Sequence, residues 1–482
     1  MADVILIQPK ANPHRELACL PLGLLSISRL LDNEGYKIKI INQIINNRWK
    51  LDLQSELKNN PICVGITVMI GNSILSGIAT SKFVKEISDI PIVWGGPHPS
   101  IIPHQTLENN YIDIVCEGEG DITFFELVKT LEKNKPLDKV KGIWYKENKK
   151  IKCNEKRAQT DLNTLPDIPY HILDMSQYKF TTWYKEKKFT INVETSRGCP
   201  FHCTYCYNCN LYPKWNGLNS KRVIELLKKL NEEYNVKSFH FQDDNFFVNQ
   251  KRTNEIMEGI LKEKLDIVMG FQGLRLDAAC KMKKDEFDLL FKAGCRYFNL
   301  GLETGSPRIL KMISKGTTIE QAYSFNKILT RYPEIYPHYN FMTGFPTETI
   351  NEMLETVNMM VKLKKENPNI QIISLFLFTP WPKTEIYDLS IKHGFIPPNS
   401  LEEWGNITWG LNIGDESKKF HPWLTKDFIE MYNRIQFTIQ SANYLNIDKL
   451  SNFFLRTIQN LYAPIAKFRF KNSCYSYMPE YI

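Results

Sequence analysis

The sequence contains no run of 18 or more apolar residues, so it does not predict a transmembrane helix. Its first residues, Met1–Val4, lack the basic segment that opens a secretory signal and lead directly into an apolar, strand-like run. A secreted chain would use its 11 cysteines for disulfides, whereas a chain without a signal keeps them reduced. We therefore expect a cytoplasmic protein with free thiols.

A strong charge bias is also missing. The 61 Lys and Arg residues exceed the 53 Asp and Glu residues by only 8 in 482 positions, and the lysines are scattered or lie in short runs such as 185–188. Such runs are typical of solvated surface, so nucleic acid is not indicated, and an RNA-binding zinc module would need a basic, aromatic surface that we do not find. Internal repeats and low-complexity segments are absent too. The length and the 43% hydrophobic content predict two or three domains.

The first 150 residues alternate short apolar runs with helical patterns. This order predicts a parallel, doubly wound sheet, in which ligands bind at the carboxyl ends of the strands. A dinucleotide site would need G-x-G-x-x-G after the first strand, and that motif is absent. The candidate binding residues at the strand ends are Thr67, Met69, Gly71, Gly95, Gly96, His98, Glu117 and Gly118. Their glycines would let a bulky ligand approach the backbone closely.

Three cysteines, Cys199, Cys203 and Cys206, follow the strand-like run 189–193 in a C-x3-C-x2-C spacing. One compact loop can direct three thiolates at a single inorganic centre. A 4Fe-4S cluster normally takes four thiolates, so three would leave one iron open to another ligand. Zinc, with Cys209 or His202 as the fourth ligand, and three buried thiols without a metal are the alternatives.

The cysteine spacing resembles the signature of the radical S-adenosylmethionine (SAM) enzymes. In that family SAM binds the open iron, and the reduced cluster cleaves it to a 5'-deoxyadenosyl radical. Tyr205, just before the last cysteine, matches an aromatic residue that lies near the adenine in the family. The resemblance therefore implies that Cys199, Cys203 and Cys206 bind a catalytic 4Fe-4S cluster, with SAM as a second cofactor and an electron donor such as flavodoxin or ferredoxin.

Six strand-helix units are predicted between residues 189 and 393, and a partial, open barrel is the radical SAM architecture. The ends of its strands carry Asp243, Asp244, Arg275 and Glu303. SAM has an ammonium group, ribose hydroxyls and a carboxylate, so its site needs carboxylates and an arginine of this kind. As an alternative, Asp244-Asn245 caps the next helix, and Glu303 or Ser306 caps the helix after the fourth strand.

Residues 1–154 resemble the cobalamin-binding domain that precedes many radical SAM cores, mainly in the loops 95–99 and 117–121. Cobalamin mutases and methionine synthase carry Asp-x-His-x-x-Gly after the first strand, and its histidine binds cobalt. Here residues 12–17 contain His14 without the acid or the glycine. The resemblance then leaves the lower face of cobalt to the loop around Met69. The alternative is a domain that serves structure or substrate binding only, with His14, His98 and His104 as ordinary loop histidines.

We thus expect an α/β chain with a doubly wound, Rossmann-like cobalamin-binding domain at 1–154 and a linker at 155–188. A partial (β/α)6 radical SAM barrel at 189–393 and a helical, substrate-capping region at 394–482 complete the prediction. The tail is expected to be irregular to residue 415 and to form helices at 428–443, 448–459 and 462–470.

The resemblance implies a cobalamin-dependent radical SAM methyltransferase that acts on a small-molecule or peptide substrate. In such enzymes the 5'-deoxyadenosyl radical removes hydrogen from an unactivated carbon, and the substrate radical takes a methyl group from methylcobalamin. One alternative keeps both cofactors but cyclises, hydroxylates or rearranges its substrate, as in the anaerobic magnesium-protoporphyrin cyclase group. The others are a radical SAM enzyme without cobalamin and a non-catalytic Fe-S protein.

Overall fold

The computed structural model describes residues 2–10, 19–178, 189–372, 374–407, 419–442 and 453–475. Its chain divides into two compact units. The first unit comprises Met1–Pro200, Asn210–His240 and Pro398–Thr408, and the second comprises Phe201–Cys209, Phe241–Pro397 and Trp409–Ile482. By contacts the chain divides near Pro200, and residues 398–408 of the tail belong to the first unit.

The first unit contains the predicted doubly wound sheet. Its strands β1 to β7 are Val4–Gln8, Ile38–Asn42, Cys63–Thr67, Ile92–Gly95, Ile114–Cys116, Ile143–Glu147 and Lys150–Cys153. They lie in the order β2-β1-β3-β4-β5-β6-β7, with β1 to β5 parallel and the hairpin β6-β7 antiparallel. The strand order reverses between β1 and β3, which is where such sheets bind ligands.

Six helices accompany this sheet: Leu22–Asn33, Trp49–Leu57, Ser73–Ile87, Pro97–Ile101, Pro103–Glu108 and Gly120–Glu132, numbered α1 to α6. The sequence did not predict α2, because only Leu53 and Leu57 are buried on it and its apolar period is weak. It also did not predict α4, which begins with Pro97 at a position that suits proline. Leu24 of α1 and Phe124 of α6 are fully buried in the same apolar cluster as Val4 of β1.

Strands β8 to β15 follow at Thr190–Val193, Ser196–Arg197, Asn216–Gly217, Ser238–Phe241, Val268–Leu274, Cys295–Glu303, Tyr336–Thr343 and Leu375–Leu377. The two-residue strands β9 and β10 pair with each other. In the second unit, β12 to β15 lie in sequential order and pair in parallel. This confirms the predicted α/β class with parallel strands.

Several of the remaining helices begin where the sequence supplies a cap. Asn219, Asn249, Ser306 and Thr349 each accept a hydrogen bond from a backbone N–H of the helix that follows. These helices, α7 to α18, are Asn208–Leu211, Ser220–Tyr234, Gln250–Lys262, Leu276–Ala279, Lys284–Lys292, Pro307–Met312, Ile319–Leu329, Ile350–Glu366, Glu385–Lys392, Leu401–Gly405, Lys426–Ala442 and Phe453–Asn472.

The tail differs from its prediction in two places. Residues 401–405 form the helix α16 within a stretch predicted to be irregular. The helices predicted at 448–459 and 462–470 are one helix, α18, which continues through Pro464. Residues 448–452 and Trp409 of the predicted tail, like His14, lie outside the described residues. In the described ranges, no helix has the length and apolar character that crossing a bilayer requires.

A buried ion network in the first unit holds the strand that precedes Cys199. Arg197 of β9 donates to Asp121 at 2.6 Å, to Glu194 at 2.8 Å and to Ser26 at 2.5 Å. Arg29 of α1 lies 3.5 Å from the same carboxylate of Asp121. Burial would raise the pKa of Asp121, but the two arginines hold it down at about 2. Asp121 therefore stabilises the charges of both Arg197 and Arg29, and Glu194 also stabilises that of Arg197.

Replacing Asp121→Asn should lower the free energy of unfolding by about 3 kcal/mol, because two buried guanidinium groups lose a carboxylate. Urea unfolding followed by circular dichroism measures this loss. Since the folded pKa lies below the ordinary value of 3.8, the wild type should also lose about 2 kcal/mol as the pH falls from about 4 to 2. The variant should not show this loss.

Asp138→Asn is the matched control, because Asp138 is exposed and lies 3.7 Å from Lys139 at the surface. Its effect should stay below about 1 kcal/mol. Equal stability of the two variants would contradict the role of the ion network.

Candidate functional site

The carboxyl ends of β3, β4 and β5 meet at one edge of the first sheet. Thr67 is the register partner of Gly95, and Val68 donates its N–H to the carbonyl oxygen of Gly95 at 2.8 Å. Gly118, after β5, donates its N–H to Ser100 Oγ at 2.9 Å. The structure therefore brings the predicted residues of three separate loops together.

Glycines leave this edge open. A Cβ atom on Gly118, whose φ is +81°, would meet no atom within 4 Å, and one on Gly95 would only reach Cys116 at 3.9 Å. Gly96, in contrast, lies in a crowded place. Its φ is +97°, and a Cβ atom there would lie 2.9 Å from the carbonyl oxygen of Val68, so this position requires glycine. Met69 is 48% exposed beside them. An open backbone edge with an exposed thioether suits a broad, partly apolar ligand such as cobalamin.

Two of the predicted binding residues, His98 and Glu117, contact other side chains of the first unit. His98 is buried, 2% exposed, with its ring 6.0 Å from that of Trp404, and its burial lowers its pKa to about 3. It is therefore a neutral, packed side chain and not a surface histidine, whereas His104 is exposed. Glu117 accepts a hydrogen bond from Trp144 Nε1 at 2.7 Å and pairs with Lys156 at 3.1 Å.

The cysteine loop occupies the end of the first unit and the start of the second. In the first unit, Cys199 donates its N–H to the carbonyl oxygen of Tyr212 at 3.3 Å. Gly198 has a φ of +79°, and a Cβ there would lie 2.3 Å from the carbonyl oxygen of Lys214, so this position requires glycine. In the second unit, Cys206 donates its N–H to the carbonyl oxygen of Cys203 at 3.0 Å.

Backbone hydrogen bonds fix the loop of the second unit to two helices. Thr204 donates its N–H to the carbonyl oxygen of Ile313, at the end of α12, at 3.1 Å. Its own carbonyl oxygen accepts from the N–H of Ile386, in α15, at 3.2 Å. Cys203 and Cys206 are thereby held on either side of a residue that is anchored through both of its backbone polar groups.

Arg275, which follows β12, contacts this loop directly. Its Nη1 donates to Cys203 Sγ at 3.4 Å, and its guanidinium carbon lies 3.6 Å from the ring centre of Phe201. Nε pairs with Asp277 at 2.9 Å, and Nη2 donates to the carbonyl oxygen of Lys315 at 2.7 Å. Burial opposes its charge, but Asp277 and Cys203 favour the charge more strongly, so the pKa of Arg275 is raised.

A buried network joins Tyr205 to the end of β13. Glu303 Oε1 accepts from Tyr205 Oη at 2.9 Å and from Lys315 Nζ at 2.6 Å. Burial, and then the charge of Glu303, raise the pKa of Tyr205, so its hydroxyl stays protonated and donates. Glu303 has a φ of +70°, a strained conformation for a residue with a side chain. Such strain at a buried charged residue is typical of functional sites.

Lys315 was not predicted as a site residue. It is 6% exposed and lies between Ser314 and Gly316, whose φ values of +50° and +70° mark a turn. A lysine between two turn residues is ordinarily a surface residue. Its partners Glu303 and Tyr205 lie 12 and 110 positions away, so only the fold reveals its role.

The two aspartates after β11 have different environments. Asp243 is fully buried, and its charge acts on Arg252, whose pKa is nevertheless lowered by burial. Asp244 is exposed and accepts a hydrogen bond from Asn208 Nδ2 at 2.6 Å. Neither Asp244 nor Glu303 caps the next helix, because Asn249 and Ser306 do so. The capping alternative is therefore wrong for Asp244 and Glu303 and is confirmed for Ser306.

Cys209 and His202 are the fourth ligands that the zinc alternative names. In the part of the chain that the structure describes, no group of three or more His, Cys, Asp and Glu side chains is arranged for one metal ion. Cys209 directs its thiol to the carbonyl oxygen of Phe201 at 3.0 Å, and His202 is exposed. In a 4Fe-4S cluster each thiolate binds its own iron, so its ligands lie farther apart than those of one zinc ion. The cluster therefore rests on the cysteine spacing and on the match to the radical SAM family.

Comparisons with known proteins support both the cobalamin-binding and the radical SAM predictions. The profile of the Radical SAM superfamily matches residues 193–360, and that of the B12 binding domain matches residues 14–128. A Pyrococcus horikoshii protein named as an uncharacterized methyltransferase is 31% identical over 420 residues, which cover 86% of this chain and 88% of that protein.

Two further similarities bear on the fold and the chemistry. The anaerobic magnesium-protoporphyrin IX monomethyl ester cyclase of Synechocystis is 24% identical over 420 residues, 81% of this chain and 79% of the cyclase. The solved structure of OxsB, a cobalamin-dependent SAM radical enzyme with aqua-cobalamin and SAM bound, has a TM-score of 0.72 and 18% identity. It covers 98% of this chain, and 72% of OxsB is matched, which shows a shared fold.

The buried network predicts a large effect for Glu303→Ala. The free energy of unfolding should fall by about 3 kcal/mol, because the ammonium group of Lys315 stays buried without its carboxylate. Urea unfolding measures the loss. Glu225→Ala is the control, since Glu225 pairs with Lys221 at 3.8 Å on an exposed helix face and should cost below about 1 kcal/mol. Similar losses in the two variants would contradict the network.

Proposed function

Because the chain belongs to the cobalamin-binding radical SAM enzymes, we propose that it is a methyltransferase that modifies an unactivated carbon of its substrate. The observation that carries this proposal is the 31% identity to a methyltransferase-named protein over nearly the whole of both chains. The cofactors of the family are a 4Fe-4S cluster, SAM and cobalamin, and we assign each of them a site among the described residues.

When bound, the cluster and SAM supply a radical that removes hydrogen from the substrate, and cobalamin supplies the methyl group. Cys199, Cys203 and Cys206 hold the cluster in this proposal. Tyr205, Glu303 and Lys315 form the wall of the SAM site, with Asp244 exposed at the end of a neighbouring strand. A site closed to water protects a reactive radical, and the burial of Glu303 and Lys315 supports such a site.

Cobalamin binds at the open edge of the first sheet in this proposal. Gly95, Gly96 and Gly118 bring the backbone close to it, and Met69 contributes its exposed side chain. Thr67 and Gly71 complete the ends of β3. Glu117 and His98 stabilise this edge through their contacts with Trp144 and Trp404 of the first unit.

The partners follow from the chemistry. The substrate is a small molecule or a peptide, and an electron donor such as flavodoxin or ferredoxin reduces the cluster. A reducing, cytoplasmic compartment suits both the cluster and the 11 cysteines, all of which are free thiols. The predicted bounds, 1–154, 155–188, 189–393 and 394–482, serve as the proposed functional domains.

A cyclase is the second candidate, supported by the similarity to the Synechocystis cyclase over 81% of this chain. It would use the same cofactors without adding a carbon. Mass spectrometry of the product separates the two, because methylation adds one carbon derived from SAM and cyclisation adds none.

The first test is anaerobic reconstitution with iron, sulfide and hydroxocobalamin, followed by desalting and metal analysis. About four irons and about one cobalt per chain are expected, since one cluster and one cobalamin bind. About four irons without cobalt would overturn the cobalamin-dependent methyltransferase and leave a radical enzyme that uses SAM alone.

The cysteine variants test the cluster. Cys199→Ala, Cys203→Ala and Cys206→Ala should each abolish formation of 5'-deoxyadenosine from SAM, measured by liquid chromatography after reduction with dithionite. Cys209→Ala should retain it, because its thiol bonds to backbone carbonyls in the structure. Normal 5'-deoxyadenosine production by any of the first three variants would contradict the ligand assignment.

Substitutions at Gly95 test the cobalamin edge without straining the backbone. Gly95→Leu fills the open space, so the dissociation constant for hydroxocobalamin should rise by about tenfold or more, since a clash of about 1.4 kcal/mol has that effect. Gly95→Ala, with a smaller side chain, is the matched control. The measurement is the cobalt content after desalting, with the iron content as a check that the cluster is intact. Equal cobalt retention by both variants would place cobalamin elsewhere.

A further inference from the structure

The sequence offered Arg275 as a partner for the carboxylate of SAM, but its contacts point to another role. Its Nη1 lies 3.4 Å from Cys203 Sγ, and Cys203 is 8% exposed, so little water reaches that sulfur. From this geometry we infer that Arg275 is a positioning residue for the cluster, which donates a charge-assisted hydrogen bond to the Cys203 thiolate and raises the reduction potential of the cluster. The inference rests on the proposed cluster ligands but not on methyl transfer.

Three contacts fix the guanidinium before any cofactor binds. Its plane packs on Phe201, with 3.6 Å from the guanidinium carbon to the ring centre. Nε pairs with Asp277 at 2.9 Å, and Nη2 donates to the carbonyl oxygen of Lys315 at 2.7 Å. Only an arginine can stack on a ring and donate in three directions at once. Nη1 is therefore directed at Cys203 by contacts that do not depend on SAM.

The electrostatic consequence has a definite sign. Reduction adds an electron to the cluster, and a nearby positive charge in a buried site stabilises that added electron. Hydrogen bonds to the cluster sulfurs likewise help to set the reduction potential. Asp277 acts in the opposite direction, because its carboxylate partly offsets the charge of Arg275. Removing the arginine should lower the potential, and removing the carboxylate should raise it.

Redox titrations of the reconstituted protein, followed by the electron paramagnetic resonance of the reduced cluster, test this directly. For Arg275→Gln the equilibrium constant for reduction should fall by about tenfold, which is 59 mV for one electron. Asp277→Asn should shift the potential to less negative values. These opposite shifts keep the test decisive even where one of the variants folds poorly.

Arg296→Gln is the matched control. Arg296 also lies over a phenylalanine, 4.6 Å from the ring centre of Phe291, and near a carboxylate, 3.5 Å from Glu334. The neighbouring cysteine of Arg296 is Cys295, which is not a candidate cluster ligand, so the variant should retain the wild-type potential. A change as large as that of Arg275→Gln would overturn the inference.

SAM affinity separates this role from the one that the sequence suggested. Isothermal titration with SAM should give similar dissociation constants for Arg275→Gln and the wild type. An unchanged potential with a weakened SAM affinity would overturn the inference and assign Arg275 to the SAM carboxylate. A wild-type protein that binds no iron would instead refute the proposed cluster ligands.

Discussion

The candidate site of the second unit depends on the hydrogen bonds that the carboxylate of Glu303 accepts from Lys315 and Tyr205. A buried charge is tolerated only when it is paired and hydrogen-bonded, and Glu303 meets this condition through Lys315 and Tyr205. Tyr205 belongs to the cysteine loop, so satisfying one carboxylate also fixes that loop against the end of β13. The strained backbone of Glu303 is maintained because its side chain has two partners in fixed positions.

Close approach of backbone to backbone is the second constraint, and it explains glycines in both units. Gly198, the residue before Cys199, lies so close to the carbonyl oxygens of Tyr212 and Lys214 that a Cβ atom would clash with both. Gly273 does the same in the second unit, where its Cβ would lie 2.4 Å from the carbonyl oxygen of Asp244. A side chain at either position would displace a loop that carries candidate site residues.

Local signals predicted most of the fold. The alternation of apolar runs and helical patterns predicted the α/β class and the parallel strands, and Asn219 predicted the start of the helix at Ser220. The cysteine spacing and the polar residues at the strand ends indicated the cluster and SAM sites. Helix α2 escaped prediction because it buries only two side chains, and α16 because its packing in the first unit involves residues distant in sequence. Trp404, for example, donates to Gln105 at 2.8 Å.

Residue types at strand ends define which groups are available but not which partners they meet. An arginine after β12 suits the carboxylate of SAM and a cluster thiolate equally well, because both are anions that accept N–H donors. The choice is made by Phe201, Asp277 and the carbonyl oxygen of Lys315, which lie on separate segments and orient the guanidinium. Since Lys315 also pairs with Glu303, one residue contacts both the arginine beside Cys203 and the carboxylate beside Tyr205. The proposed environment of the cluster and the proposed wall of the SAM site thus share a single connected network in the second unit.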